Sequence, residues 1–307
     1  MSAVKNTPKF IKIALMKSDD GTILKGEKEE QINVAIFGIP GDKSLNTAPN
    51  LTDTIIIAKL KIKDGTISKI SLVSLPRDLY VKIPYSENYT KINALYQVGK
   101  KNNNPRPGDL ILRKMEEITG LAINYYAIFD LYTVQSIIDR LDGVNVLVED
   151  DIYDPLFPTE NFGTEPFEIK KGWQHLDGIT AVKYTRTRHT AEGDIGRMKR
   201  QQQVIDALRK KIFALNLFWD FEKILGIYED VKNNVITDLD GSEFERLWLI
   251  AKDAPFDSLN SAALGIGQAP PLLLPSHIPL GGVEAFVFVP VEGIEKYGKI
   301  REFIEKM

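Results

Sequence analysis

Arg186, Arg188, Arg197 and Arg200 lie within fifteen residues of one another in a chain that is slightly acidic overall. A guanidinium fork matches two phosphate oxygens with two N–H donors, so arginines clustered with few neighbouring acids suit a doubly or multiply charged anion. Residues 194–212 have a helical period that places Arg197, Gln201, Val204, Leu208 and Ile212 in one inward arc. Lys199, Gln202, Asp206, Arg209 and Lys210 fall on the solvated side, and Arg200 is a surface neighbour of Arg197 three residues along. Gly193 and Asp194 stand where an N-terminal cap is expected, at the positive end of the helix dipole, where cations are favoured only beside a compensating anion. An extended "TRTRH" turns Arg186 and Arg188 to the same side. The expectation is a phosphate or diphosphate site. The competing reading is solvated surface arginines or salt-bridge partners.

Other stretches offer companions for such an anion. In "SLPRDLYVKIP", Arg77 follows Pro76 at the end of an apolar run, where loops of sheet-based folds carry function; alternatively it is a turn arginine paired with Asp78. Lys91 and Asn93 in "YTKINALY" are a further cation and an amide, or a strand-end lysine and a capping asparagine. Asp53 opens the run "DTIIIAKLKI", and Asp42 lies in the loop before it. Two acids beside a diphosphate can hold Mg2+ through oxygen ligands, although loop aspartates are also ordinary turn residues.

These side chains need a scaffold. "INVAIFGI" from Ile32 has the continuous apolar character of a buried strand, and "DTIIIAKLKI" with "ISKISLVSL" predicts a hairpin turning at Asp64-Gly65. The spacing of Leu110, Ile111, Leu112, Met115 and Ile118 predicts a helix from Asp109. "NYYAIFDL" then predicts a strand, "YTVQSIIDRL" a helix closed at Gly143, and "VNVLVE" another strand. Such alternation builds an α/β fold, a sheet with helices packed on it. Further on, "SEFERLWLIAKD" predicts a helix, "GQAPPLLLPSHIPLGG" an irregular Pro-rich stretch, "EAFVFVPV" a strand and "KYGKIREFIEKM" a helix seated through Ile300, Phe303 and Ile304. Residues 16–31 are polar and predict a flexible lead-in or exposed hairpin. Residues 1–31 are therefore set apart as an N-terminal extension, and 32–307 as one domain whose core motifs span 32–212 and whose segment 213–307 packs on them.

The 307 residues carry a formal net charge of −3, which argues against general affinity for nucleic acid. With no cysteine, disulfides, thiolate nucleophiles and cysteine-ligated metal centres are excluded. No window approaches the ~18–20 apolar residues that span a bilayer, and "FIKIAL" near the start is short and interrupted by Lys12.

Taken in order, "TDT" (Thr52–Thr54), "SLPRDLYVKIP" (Ser74–Pro84), "KINALYQVG" (Lys91–Gly99), "DRLDGVNVLV" (Asp139–Val148), "LDGITAVKYTRTRH" (Leu176–His189) and "GDIGRMKRQQQVI" (Gly193–Ile205) resemble the LytR-CpsA-Psr family of cell-envelope phosphotransferases. The resemblance implies an α/β domain with a central mixed β-sheet flanked by helices and a deep apolar pocket for a polyprenyl chain. It further implies transfer of a glycopolymer from a polyprenyl diphosphate carrier to peptidoglycan, with Mg2+. By that likeness Arg77, Arg186, Arg188, Arg197 and Arg200 grip the diphosphate, with Gln201 beside them and Lys91 as an auxiliary contact. Asp53 takes the metal, with Asp42, and Asp53 or Asp78 positions or deprotonates the acceptor hydroxyl. Two positions depart from the family pattern: Pro40 stands where an aspartate is usual, with Asp42 as its replacement from the lengthened loop, and Leu51 stands where an arginine is common. The implied location is the extracytoplasmic face of the membrane, this chain being a soluble ectodomain without the family's N-terminal transmembrane helix. The same site would also serve hydrolysis of the diphosphate, or non-catalytic binding of a polyprenyl phosphate.

Overall fold

A computed structural model describes residues 21–41, 50–102, 106, 108–159, 163–187, 193–215, 220–251, 254, 259–265 and 270–307. The predicted strand β1 (Gln31–Ile39) lies beside the predicted hairpin of β2 (Thr54–Lys63) and β3 (Thr66–Ser74), and β2 pairs antiparallel with both neighbours. Asp64 and Gly65 link β2 to β3 with φ of 53° and 75°, the two positive values that a tight primed turn demands. A short ribbon, β4 (Tyr80–Lys82) and β5 (Tyr89–Lys91), precedes helices α1 (Leu95–Lys101) and α2 (Asp109–Thr119). Strand β6 (Tyr125–Asp130) then returns parallel to β1 and runs directly into α3 (Leu131–Arg140), whose N-cap Asp130 accepts a hydrogen bond from Thr133 N at 2.7 Å.

Next come β7 (Val144–Val148), β8 (Ile152–Pro158), β9 (Thr164–Ile169) and β10 (Gly172–Leu176), followed by α4 (Gly178–Arg186) and α5 (Gly193–Phe213). The chain continues through α6 (Phe221–Asn234), β11 (Ile236–Thr237), α7 (Gly241–Ala251), β12 (Leu259–Ala263), β13 (Leu273–Leu280), β14 (Val283–Pro290) and α8 (Gly298–Lys306). The central sheet is mixed, in the order β11-β6-β1-β2-β3-β12.

Both faces of that sheet are covered, which explains why β1 and the first half of β2 carry apolar residues on both faces. Ala35, Phe37, Ile55 and Ile57 face a core completed by α1, α2 and α8 through Leu95, Ile111, Met115, Ile300 and Ile304. Ile32, Val34, Ile56, Ala58 and Leu60 point the other way, toward Ile250 of α7 and Ile205 of α5. Leu24 joins this second core at 2% exposure, and Arg246 of α7 pairs with Glu27. The segment 21–30 is thus anchored to the body through Leu24 and Glu27, while Ile23 and residues 28–30 are exposed. The helix predicted over 296–307 forms as α8 and seats Ile300 and Ile304 as expected.

Two elements differ from the sequence-based expectation. "VNVLVE" is a strand, but β7 pairs with β10 outside the central sheet and, with β8 and β9, builds a separate core against α3, α4 and α5. Within the Pro-rich stretch expected to be irregular, Leu273–Leu280 form β13, paired with β14 along its whole length. Phe288 N donates to Asp78 O at 2.9 Å and so faces away from β13; its register partner Pro275, and Pro279 with the same parity, direct their nitrogens to the outer edge. No ladder bond is lost, which is the condition under which a strand tolerates proline.

Candidate active site

Antiparallel pairing brings the start of β2 and the end of β3 to the same end of the sheet, beside the end of β1, because Gly38 stands opposite Thr54. A Cβ on Gly38 would meet the Thr54 side chain at 2.9 Å, so the strands approach as closely as they do only with glycine there. Asp53 lies just before β2 and Arg77 just after β3. Asn93 stitches the two segments together: its carbonyl accepts from Thr52 N at 3.1 Å, and its own N–H donates to Arg77 O at 3.3 Å. Asn93 is therefore a buried tie between loops, not a helix cap.

Arg77 Nη1 donates to Asp53 Oδ1 at 2.6 Å, and Arg77 Nε lies 3.4 Å from Asp194 Oδ1 and 3.5 Å from Asp78 Oδ2. That Nε–H is buried and makes no hydrogen bond among the described residues. Burial acts to lower the Arg77 pKa, but Asp53, Asp194 and Asp78 outweigh it and hold the guanidinium above its ordinary value. Lys91 Nζ, at the end of β5, donates to Asp78 Oδ1 at 2.6 Å. From the first turn of α5, Arg197 forks onto Asp194 at 2.9 and 3.2 Å and donates through Nη1 to the Asp53 carbonyl at 2.6 Å. Three cations, Arg77, Lys91 and Arg197, are thus interlocked with three carboxylates, Asp53, Asp78 and Asp194.

The other expected residues sit differently. Arg200 is buried and donates to Tyr184 O at 3.0 Å and Thr187 O at 2.5 Å, fastening the end of α4 to α5. Burial raises the Tyr184 phenol to about 12 against the opposing effect of Arg200, so the hydroxyl stays protonated and donates to Gln203 at 2.6 Å. Gln201 is buried on the Arg197 side of α5. Arg186 is not in an extended segment: it is the last residue of α4, with its guanidinium 5.4 Å over the Phe157 ring, because Asp177 caps "GITAVKYTR" into a helix. Arg188 and Asp42 lie outside the described residues. Gln202, expected on the solvated side, is buried and donates to Ser74 Oγ at 2.8 Å and Ala262 O at 2.9 Å. Asp194 escaped the sequence reading as a site residue because a cap position accounted for it; its signal was the three-residue spacing to Arg197.

The sequence and the mixed-sheet fold both match known proteins. A model of the LytR_cpsA_psr family matches residues 3–264. The chain belongs to the LytR_cpsA_psr family. Among its relatives, Regulatory protein MsrR of Staphylococcus aureus is 31% identical over 216 residues, which are 69% of this chain and 58% of the relative. The transferase TagU of Enterococcus faecalis, named a polyisoprenyl-teichoic acid–peptidoglycan teichoic acid transferase, is 26% identical over 227 residues, 74% of this chain and 67% of that protein. The match thus spans less than two thirds of the length of MsrR. Among solved structures, B. subtilis TagV superimposes with a TM-score of 0.66 at 23% identity, covering 90% of this chain and 96% of its own. TagT bound to LIIa-WTA superimposes at 0.63 with 20% identity, covering 93% of each chain. These two likenesses establish the LytR_cpsA_psr fold. Among the described residues, no helix is long and apolar enough to cross a membrane.

Proposed function

We propose that this protein is a phosphotransferase that moves a glycopolymer from a polyprenyl diphosphate carrier to peptidoglycan at the extracytoplasmic face of the membrane. The observation that carries the reading is Arg77, whose guanidinium meets carboxylates from three separate segments and retains a buried Nε–H without a hydrogen bond among the described residues. Such a held donor, together with Arg197 at the start of α5, suits a charge that spreads over phosphate oxygens during transfer. The names of relatives support the same direction: TagU is named for transfer from a polyisoprenyl carrier to peptidoglycan, and TagT has been solved with LIIa-WTA.

In the proposed reaction an acceptor hydroxyl oxygen attacks the phosphorus that bears the glycan. The bridging P–O bond breaks, polyprenyl phosphate departs, and the hydroxyl proton passes to a carboxylate. Asp53 and Asp78 stand on either side of Arg77 for that role. Arg77 and Arg197 orient the diphosphate, with Lys91, Arg186, Arg188, Arg200 and Gln201 as the remaining members of the proposed binding set. The prenyl chain occupies an apolar pocket within the same fold.

Mg2+ would bind in the manner usual for the ion, through one or two carboxylates completed by substrate phosphates and water. Asp53 would hold it, with Asp42; among the described residues no group of three or more His, Asp or Glu forms a site without the substrate. Bound there, the ion would neutralise phosphate charge.

The test is a purified-component assay with a lipid diphosphate-linked glycan, peptidoglycan fragments and Mg2+. Transfer predicts a glycan–phosphate–peptidoglycan product together with polyprenyl phosphate. Release of free glycan phosphate at the same rate with and without acceptor would instead identify a hydrolase. Binding with no turnover would identify a carrier.

A further inference from the structure

Strand β8 meets the end of α4 through two contacts that the catalytic reading does not use. Thr187, the residue after α4, is 1% exposed, and its hydroxyl donates to Asp154 Oδ2 of β8, itself 1% exposed. The other Asp154 oxygen accepts from Leu156 N at 3.2 Å, which fixes the carboxylate to its own strand. Thr187 N donates to Lys183 O at 3.0 Å and Thr187 O accepts from Arg200 Nη2, so the residue is gripped from the helix before it, the helix after it and the strand beside it. Three residues beyond Asp154, the buried Phe157 ring lies under Arg186 at 5.4 Å. One strand therefore supports Arg186 directly and locks its neighbour.

We propose that Asp154 and Thr187 are positioning residues that set the direction of the Arg186 guanidinium, so that the β8–β9 ribbon acts as the mount for this arm of the anion site. The proposal rests on the reading that Arg186 contacts a diphosphate. A buried threonine hydroxyl with a buried carboxylate acceptor is costly to break from either side, because the remaining group is left without its partner. A backbone held at Thr187 also leaves Arg186 few orientations, and fewer orientations to surrender on binding.

The test pairs two substitutions of nearly equal size. Thr187→Val keeps the β-branch and removes the hydroxyl, while Thr187→Ser keeps the hydroxyl. Trypsin cleavage after Arg186 in the native protein, followed by mass spectrometry, reads local release independently of any ligand. Thr187→Val is expected to be cut at least ~10-fold faster than wild type, and to bind geranylgeranyl diphosphate ~10-fold more weakly, the scale of one lost hydrogen bond to a charged group. Thr187→Ser is expected to match wild type in both. Should Thr187→Val fail to fold, Phe157→Leu is the second variant, expected to weaken diphosphate binding while leaving the cleavage rate unchanged. Wild-type cleavage and affinity in Thr187→Val, or wild-type affinity in Phe157→Leu, overturn the proposal. A wild-type protein that does not bind the diphosphate at all overturns the proposed function instead, and the cleavage rates still decide whether Thr187 is locked.

Discussion

Arg77 and Arg197 are neighbours in one cluster but answer to different demands. Arg77 is partly open and sits between three carboxylates, so its replacement removes the central cation from a ring of like charges. Arg77→Ala is expected to lower glycan transfer by ~10²–10³, the usual effect of losing one transition-state donor, and Arg77→Lys to recover only part of it because a point charge cannot fork. Product formation under single-turnover conditions measures both. Arg197 is 2% exposed and neutralises Asp194 while holding the Asp53 carbonyl. Arg197→Ala leaves a carboxylate with its main partner gone and is expected to reduce stability by ~3–5 kcal/mol, read from urea unfolding. Restoring charge balance with Arg197→Ala/Asp194→Asn is expected to return part of that loss, since the pair interacts directly. The arginines were legible in the sequence from their density and side-chain chemistry. Among their acidic partners Asp53 and Asp78 were legible too, whereas Asp194 was not, because it satisfies a cap pattern that needs no distant contact.

At the scale of elements, α5 carries more of the structure than its sequence suggests. One side brings Arg197 to the start of β2, and another sends Gln202 across to Ser74 of β3 and the carbonyl of Ala262 on β12. Gln202→Leu removes the only described side-chain donor to these two acceptors and is expected to cost ~1–3 kcal/mol, seen as a lower denaturation midpoint with an unchanged m-value. Periodicity assigned Gln202 to the solvated face because an amide lacks the apolar signature by which buried helix positions are recognised. The same limit explains the other misreadings. The polar "TRTRH" carries no helical signature at Arg186 although the helix started by Asp177 ends there, and prolines count against a strand at β13 unless their edge is known. In contrast, β1, β2, β3 and their turn were fully legible, since a two-sided apolar run and a two-residue Asp-Gly turn have few alternatives.

For the molecule as a whole, three buried tyrosines set an alkaline limit. Tyr184 is raised to about 12, and Tyr125 and Tyr297 are raised as well, burial being the first cause in each. A phenol whose folded pKa exceeds its unfolded value stabilises the fold fully below the ordinary tyrosine value of ~10, and that contribution is lost as pH climbs toward the folded value. Thermal melts are therefore expected to be flat with respect to these groups up to about pH 10 and to fall steeply between there and pH 12. Tyr184→Phe should soften the slope. The carboxyl-proximal elements also belong to the working body: β14 bonds the Asp78 carbonyl, and α8 closes the core beneath the sheet. Deleting residues 265–307 is thus expected to abolish activity along with stability, detectable as loss of the cooperative melt. The two prolines on β13 have a separate consequence for how copies of this protein meet. A free strand border usually invites a neighbour to zip onto it, but here Pro275 and Pro279 replace two of the outward N–H donors with ring methylenes. A second copy arriving along that side finds a broken row of donors to pair with.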